Sequence, residues 1–257
     1  MSNIIVELRN VTKIYKLGKI EVHALKNIKL KIRRGEVIAI MGRSGSGKST
    51  ALNLIGCLDV PTHGKIFFNG TEITGYPPHE VFRVGIARTF QVPQPFRKLT
   101  VLENLLVTQP GNPGEGFVKS LRRWRWKRFE EESVEKAFRI LRLLNLDNLW
   151  DLEAEKLSGG QMKLLEVGKA LMTGARLLIM DEPIAGVNPT LAHEVFRTFM
   201  RLRNELGITL FLVEHRLDIA LQYTDYVYVM ATGSIIAEGE PSRIIYDQRV
   251  IEAYLGE

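Results

Sequence analysis

Cysteine is almost missing: Cys57 is the only one in 257 residues, so no disulfide can form within the chain. That excludes a disulfide scaffold and fits a reducing compartment. Long apolar runs are missing too, and no stretch reaches the roughly 18 apolar residues that cross a bilayer as a helix. The opening Met-Ser-Asn-Ile-Ile-Val-Glu has no basic segment leading into an apolar one, so no secretion signal is read there. The expectation is a cytoplasmic protein whose membrane role, if it has one, depends on partner chains. Neither sign of charge dominates, with 35 Lys and Arg against 29 Asp and Glu and a net charge of +6. Spread this evenly, the excess is a weak argument for a nucleic-acid partner, and none is expected. There is no internal repeat and no low-complexity tract. A hydrophobic content of 45% is enough for a sizeable core.

Apolar, β-branched runs at 4–8, 28–32 and 37–40 read as strands, with Arg34-Gly35 as a turn before the last. The third is apolar throughout, the pattern of a buried parallel strand, and it runs straight into a glycine-rich loop. Residues 50–58 have a helical pattern, with Leu52, Ile55 and Leu58 at near three-residue spacing. Residues 64–70 suggest a further small strand and turn. Residues 92–117 are rich in Pro and Gly, with a short helix expected at 100–106. A basic run with two tryptophans follows at 119–128, then a helical stretch at 130–144. The span 92–156 reads as an inserted, mostly helical subdomain of a domain covering 1–257. After Ser158 a helix is expected, with Leu164, Val167 and Leu171 on one face and Gly174 as its stop. Residues 177–180 read as a buried strand and 208–213 as another. Between them, 191–206 reads as a helix with the stripe Val195, Phe199, Leu202 and Leu206. Ala231-Thr-Gly233 is a hairpin signature between strands at 225–230 and 234–237. The alternation predicts an α/β fold: a P-loop core with a parallel sheet and helices on both faces, a small antiparallel β subdomain and the helical insertion.

Gly42-Arg43-Ser44-Gly45-Ser46-Gly47-Lys48-Ser49 fits the spacing G-x-x-x-x-G-K-[ST], with a strand before it and a helix after. The glycines let backbone N–H groups wrap phosphates without a Cβ in the way. The helix N-terminus, continuing through Thr50, adds the positive end of its dipole. Lys48 supplies a point charge, and the Ser49 hydroxyl suits Mg²⁺. The run Leu177-Leu-Ile-Met180 ends in two acids, Asp181 and Glu182. Asp181 suits a Mg²⁺ ligand, direct or through water. Glu182 suits orienting an attacking water or taking its proton. Phosphoryl transfer asks for positioning and charge neutralisation more than for covalent chemistry. Leu157-Ser158-Gly159-Gly160-Gln161 puts a hydroxyl and glycine N–H groups at a helix N-terminus. The plain reading is a helix cap, and the same geometry grips phosphate.

In this order the motifs resemble the nucleotide-binding subunit of an ABC transporter, over essentially the whole chain. The resemblance implies binding and hydrolysis of ATP with Mg²⁺. It implies a homodimer or paralogous heterodimer in which Ser158, Gly159, Gly160 and Gln161 of one copy grip ATP on the other. It also implies integral membrane partners and a peripheral place on the cytoplasmic face of the cell membrane. By the same resemblance Gln91, in Arg88-Thr-Phe-Gln91, contacts Mg²⁺ and water and links to the membrane subunits. His215, in Phe211-Leu-Val-Glu-His215, contacts the γ-phosphate, and Tyr15, in Val11-Thr-Lys-Ile-Tyr15, stacks on adenine. Without the family, a lone Tyr or His is ordinary packing or surface. One departure follows Glu182: Asn188, in Ala185-Gly-Val-Asn188-Pro189, stands where many members carry an aspartate. Asn before Pro also serves as a helix cap.

From Gly85 onward the chain resembles the ATPases of branched-chain amino-acid importers. Gly160-Gln-Met-Lys-Leu-Leu-Glu166, Met180-Asp-Glu-Pro-Ile-Ala-Gly186 and Glu214-His-Arg-Leu-Asp218 carry this likeness. Up to about residue 70, Val22-His-Ala-Leu-Lys-Asn27 and Asn53-Leu-Ile-Gly-Cys-Leu-Asp-Val-Pro-Thr-His-Gly64 resemble lipoprotein-release and macrolide-efflux ATPases. The expectation is an importer ATPase, with a natural mosaic or a chimera as a hypothesis. An efflux-type ATPase and a soluble ABC ATPase outside transport are the alternatives. The Arg and Trp residues at 119–128 suit a membrane interface or an anionic partner. The plainer reading is a solvated helix with its tryptophans tucked against the domain.

Overall fold

The computed structural model describes residues 3–89, 93–112 and 123–255. It divides into two compact units, Met1–Gln91 with Arg176–Glu257, and Val92–Ala175.

The first unit begins with a long hairpin, β1 (Ile4–Leu17) and β2 (Ile20–Arg33). Only its base is apolar on alternate residues, which is why 4–8 and 28–32 alone read as strands. Asn10 and Asn27, both at φ 51, sit where the pairing register shifts. Asparagine tolerates this left-handed conformation better than most residues, and the bulges absorb the mismatch. Next in chain order come β3 (Val37–Met41), β4 (His63–Phe68) and β5 (Thr71–Glu72). β1, β2, β4 and β5 form an antiparallel sheet in the order β2-β1-β4-β5.

A six-stranded sheet carries β3 with β6 (Ile86–Thr89), β7 (Leu177–Asp181), β8 (Thr209–Val213), β9 (Tyr226–Ala231) and β10 (Ser234–Gly239), in the order β10-β9-β3-β8-β7-β6. Neighbours from β9 to β6 pair parallel, and β10 pairs antiparallel with β9. β3 and β8 are buried at every position, as strands covered on both faces must be. Thr232 and Gly233, at φ 45 and 82, make the tight turn between β9 and β10. Tyr228 ties the two sheets: its hydroxyl donates to the Lys31 carbonyl at 2.7 Å and accepts from the Lys31 N–H at 3.0 Å.

The helices of this unit are α1 (Lys48–Ile55), α2 (Pro78–Val84) and, past the second unit, a long helix at Pro189–Leu206. α1 stops three residues short of the Leu52-Ile55-Leu58 pattern. Gly56 caps it, Cys57 takes φ 50, and Leu58 is 50% exposed. The Pro189–Leu206 helix buries Ala192, Val195, Phe196, Phe199 and Leu202, but Leu206 in its last turn is 38% exposed. Short helices at Leu217–Ala220, Pro241–Ile244 and Gln248–Leu255 complete the unit.

The second unit packs α3 (Val101–Leu106), α4 (Arg123–Leu143) and α5 (Gly159–Met172) on one another. A Cβ at Gly168 would lie 2.8 Å from Leu144 and 3.3 Å from Leu105, so the absent side chain lets these helices close. Asn104 is fully buried and satisfied: it accepts from the Phe96 N–H and donates to the carbonyls of Phe96, Leu99 and Thr100. The compact unit extends beyond 156 because α5 is one of its three packed helices. The buried residues of α5 include Leu165, Val167, Gly168 and Leu171, and Leu164 is only half-buried. Of the basic run at 119–128, residues 119–122 lie outside the described residues and the rest begins α4. Among the described residues no helix is long and apolar enough to cross a membrane.

Candidate functional site

Parallel pairing puts the carboxyl ends of β3, β8, β7 and β6 along one edge of the sheet, and in such sheets ligands bind beyond that edge. The register aligns Ile40 and Asp181 with Val213, and Thr89 with Met180. The residues that follow these ends are therefore neighbours. After β3 comes the loop 42–49, after β8 come Glu214 and His215, and Asp181 closes β7 just before Glu182.

The loop is shaped from behind. Gly42, at φ 148, has no room for a Cβ, which would run into the Met230 carbonyl. Gly47, at φ 104, would meet the Ala24 carbonyl at 2.6 Å. At the β9–β10 turn the Gly233 N–H donates to the Ser46 carbonyl at 3.0 Å, and the Lys26 N–H donates to the Gly233 carbonyl at 2.7 Å. On its outer side Arg43, Ser44, Gly45 and Ser49 are exposed. The α1 N-terminus has no side-chain cap and no acid in its first turn, which leaves its dipole open to an anion. Lys48 is 5% exposed and curls back onto the loop. Its Nζ donates to the carbonyls of Gly42 at 2.7 Å and Arg43 at 2.9 Å, with Ser46 Oγ at 3.4 Å. Burial holds the Lys48 ammonium below the usual lysine range, and the attraction of Glu182 and Asp181 opposes it.

Glu182 Oε1 lies 2.9 Å from His215 Nε2. Glu182 takes φ 49, a left-handed backbone unusual for its type. Its N–H donates to the Val213 carbonyl at 2.9 Å, and its carbonyl accepts from the Ala185 N–H at 3.0 Å. Asp181 Oδ2 lies 3.2 Å from Arg88 Nη2. Tyr15 lies near the tip of the β1–β2 hairpin, and its hydroxyl donates to Asp59 Oδ2 at 2.8 Å. Burial, seconded by Asp59, raises the Tyr15 phenol above its ordinary range. The Lys13 ammonium sits 4.9 Å from the ring centre. Asn188 caps the Pro189–Leu206 helix, its side chain accepting from the Leu191 N–H at 2.9 Å.

Ser158 to Gln161 belong to the second unit and open α5. Ser158 Oγ accepts from the Gln161 N–H at 3.3 Å, and Gln161 Oε1 accepts from the Ser158 N–H at 2.9 Å. This is a capping box that leaves Ser158 and Gly159 exposed and Gly160 buried. Gln91 lies outside the described residues.

A family model described as ABC transporter matches residues 25–185. The chain belongs to the ABC transporter family. It is 52% identical over 233 residues to the probable branched-chain amino acid transport ATP-binding protein LivG of Archaeoglobus fulgidus, covering 91% of this chain and 90% of that one. The crystal structure of the ADP conformation of an ATP-binding cassette of an ABC transporter matches with a TM-score of 0.83 and 43% identity over 100% of both chains. The dimeric structure of a post-hydrolysis state of another cassette, bound to ADP and Pi, matches with a TM-score of 0.74 and 29% identity, covering 92% of this chain and 99% of that one. This cassette is the ATP-binding and ATP-hydrolysing subunit of an ABC transporter, with homologues in branched-chain amino acid transport.

Two residues beside the candidate site escape motif reading. Glu214 is 2% exposed; one of its carboxylate oxygens accepts from the Ile184 N–H at 3.0 Å and the other from the His215 N–H at 3.3 Å. It thereby ties the loop after Glu182 to the backbone of His215. Arg88 bonds both Asp181 and Asn53. Both are charged residues at the ends of apolar runs, where sequence gives no sign of burial. Their adjacency to His215 and Gln91 was the one available signal.

Proposed function

We propose that this cassette powers the import of branched-chain amino acids, binding Mg-ATP between two copies and acting on integral membrane subunits at the cytoplasmic face of the membrane. The observation that carries the catalytic part is the 2.9 Å pair of Glu182 and His215, beside the strand end that bears Asp181. Among the described residues no three His, Cys, Asp or Glu side chains gather into a cation cage. One carboxylate from Asp181 and one hydroxyl from Ser49 instead suit Mg²⁺, which keeps waters and phosphate oxygens as its other ligands. Gln91 joins that set on resemblance alone. Bound there, the cation supplies charge neutralisation to the transferred phosphoryl group.

The protein's own groups do the rest. Lys48 exchanges the Gly42 and Arg43 carbonyls for phosphate oxygens. Backbone N–H groups from Arg43 through Thr50 complete the cradle. Tyr15 offers its ring to adenine. His215 leaves Glu182 for the γ-phosphate, which frees the Glu182 carboxylate to orient water and take its proton. Ser158, Gly159, Gly160 and Gln161 of the second copy close the site, a reading supported by the dimeric relative. The helical insertion at 92–156, with the segment at Gln91, faces the membrane subunits.

The branched-chain assignment rests on a likeness covering 91% of the chain, more than the part after residue 70, which supports one lineage throughout. The lipoprotein-release likeness of the first 70 residues is the second reading, as a mosaic or chimera. Co-purification with membrane subunits of each type separates them, and stable assembly with an efflux-type pair alone overturns the importer assignment. For the chemistry, Glu182→Gln keeps ATP affinity, lowers turnover by roughly 10²-fold or more, and accumulates an ATP-bound dimer on gel filtration. Undiminished phosphate release would remove Glu182 from its role.

A further inference from the structure

Arg88 joins three elements that the motifs treat as separate. Its side chain is 15% exposed. Nη1 donates to Asn53 Oδ1 of α1 at 2.5 Å, and Nη2 donates to Asp181 Oδ2 at the end of β7 at 3.2 Å. Nε is buried and, among the described residues, has no hydrogen-bond partner. Arg88 itself lies in β6, the strand that runs toward Gln91. A guanidinium taken out of water and left partly unsatisfied costs free energy, so the arrangement persists against that cost. What it secures is geometric. The planar fork reaches two acceptors at once, which a lysine's single ammonium cannot do at fixed spacing. It fixes one oxygen of Asp181, leaves the other for a second cation, and references both to the helix that carries Lys48 and Ser49.

We infer that Arg88 is a positioning residue for the divalent cation: it orients the Asp181 carboxylate and locks it to α1, so that the cation site is already assembled when nucleotide arrives. This rests on the reading of Asp181 as a Mg²⁺ ligand. Arg88 also carries a cost, since its positive charge sits beside the site of another cation. Orientation outweighs repulsion in this inference, which sets the sign of the test.

Nucleotide binding is titrated with a fluorescent ATP analogue, once in EDTA and once across a Mg²⁺ series. Arg88→Met removes the fork while keeping the stem. The expected result is unchanged affinity in EDTA and a Mg²⁺ requirement raised about tenfold or more, the scale of losing one hydrogen bond to a charged group. Arg88→Lys, with charge but no fork, fails to restore it. Asn53→Ala gives a smaller rise that is not additive with Arg88→Met, and it stands as the test if the Arg88 variant does not fold. Three outcomes overturn the inference: equal loss with and without Mg²⁺, an unchanged Mg²⁺ requirement, or a lowered one. Asp181→Asn serves as the control. If it leaves the Mg²⁺ requirement unchanged, the reading of Asp181 fails and the inference falls with it. If only the Arg88 and Asn53 variants are silent, that reading stands and the inference alone is wrong.

Discussion

Lys48 is a buried charge that the folded chain itself keeps hydrogen-bonded. Because burial lowers its pKa, holding the ammonium charged costs the folded state stability below the usual lysine range. That cost fades as pH rises from the folded pKa toward the ordinary lysine value. At the proposed site, phosphate oxygens would offset it at neutral pH, so nucleotide should stabilise this protein. Lys48→Ala is expected to reduce the ATP-dependent rise in melting temperature and to weaken ATP binding by about 10- to 150-fold, the worth of a charge-assisted hydrogen bond. Thermal shift with and without ATP reads the first and a binding titration the second. Glu182 and His215 likewise hold each other, 2.9 Å apart, and under the proposed function the γ-phosphate is what separates them.

At the scale of elements, α5 begins with a side chain that has one observed task, the cap, and one proposed, the grip on phosphate of a second copy. Ser158 caps the helix, and its hydroxyl hydrogen remains to be donated outward. The tasks separate by substitution. Ser158→Ala loses the cap, a cost of about 0.5–2 kcal/mol, and loses the hydroxyl. Ser158→Asp keeps a good cap but sets a carboxylate before phosphate. Both should lose ATP turnover while only the alanine variant loses thermal stability, measured by phosphate release and by melting. Elements also differ in how far sequence exposes them. Val37–Met41, Leu177–Asp181 and Thr209–Val213 are legible because strands buried on both faces are apolar at nearly every position. β6 and α2 are not, since Ile86–Thr89 is four residues with an arginine inside, and Pro78–Val84 follows the turn-like Gly75-Tyr-Pro-Pro78. The half-buried Arg88 is paired with Asp181, 93 residues away, and no local pattern encodes that pairing. Asp181, Glu182, Lys48 and Ser158 were legible because the spacing of their motifs is itself local.

Across the whole molecule, the first unit depends on Tyr228. Its hydroxyl is the hydrogen-bond link from β9 to Lys31 of β2, and burial pushes its phenol well above the ordinary range. Tyr228→Phe leaves the Lys31 N–H and carbonyl without that partner, at a cost of about 1–3 kcal/mol. The expected reading is a lower denaturant midpoint with an unchanged slope, and ATPase activity that persists below it. An unchanged midpoint would show that water replaces the hydroxyl at no cost.

The support behind the phosphate loop has a consequence for how the protein is made. The loop is translated well before Met230 and Gly233, against which Gly42 and Ser46 rest. At about 5–20 residues per second, a ribosome needs on the order of ten seconds or more to pass between them. During that interval every residue of the loop is present, but the backing that shapes it has not been synthesised. A nascent chain halted before β9 would carry all the recognisable ATP motifs and still lack a finished ATP site, so competence for nucleotide arrives only once Met230 and Gly233 have been added.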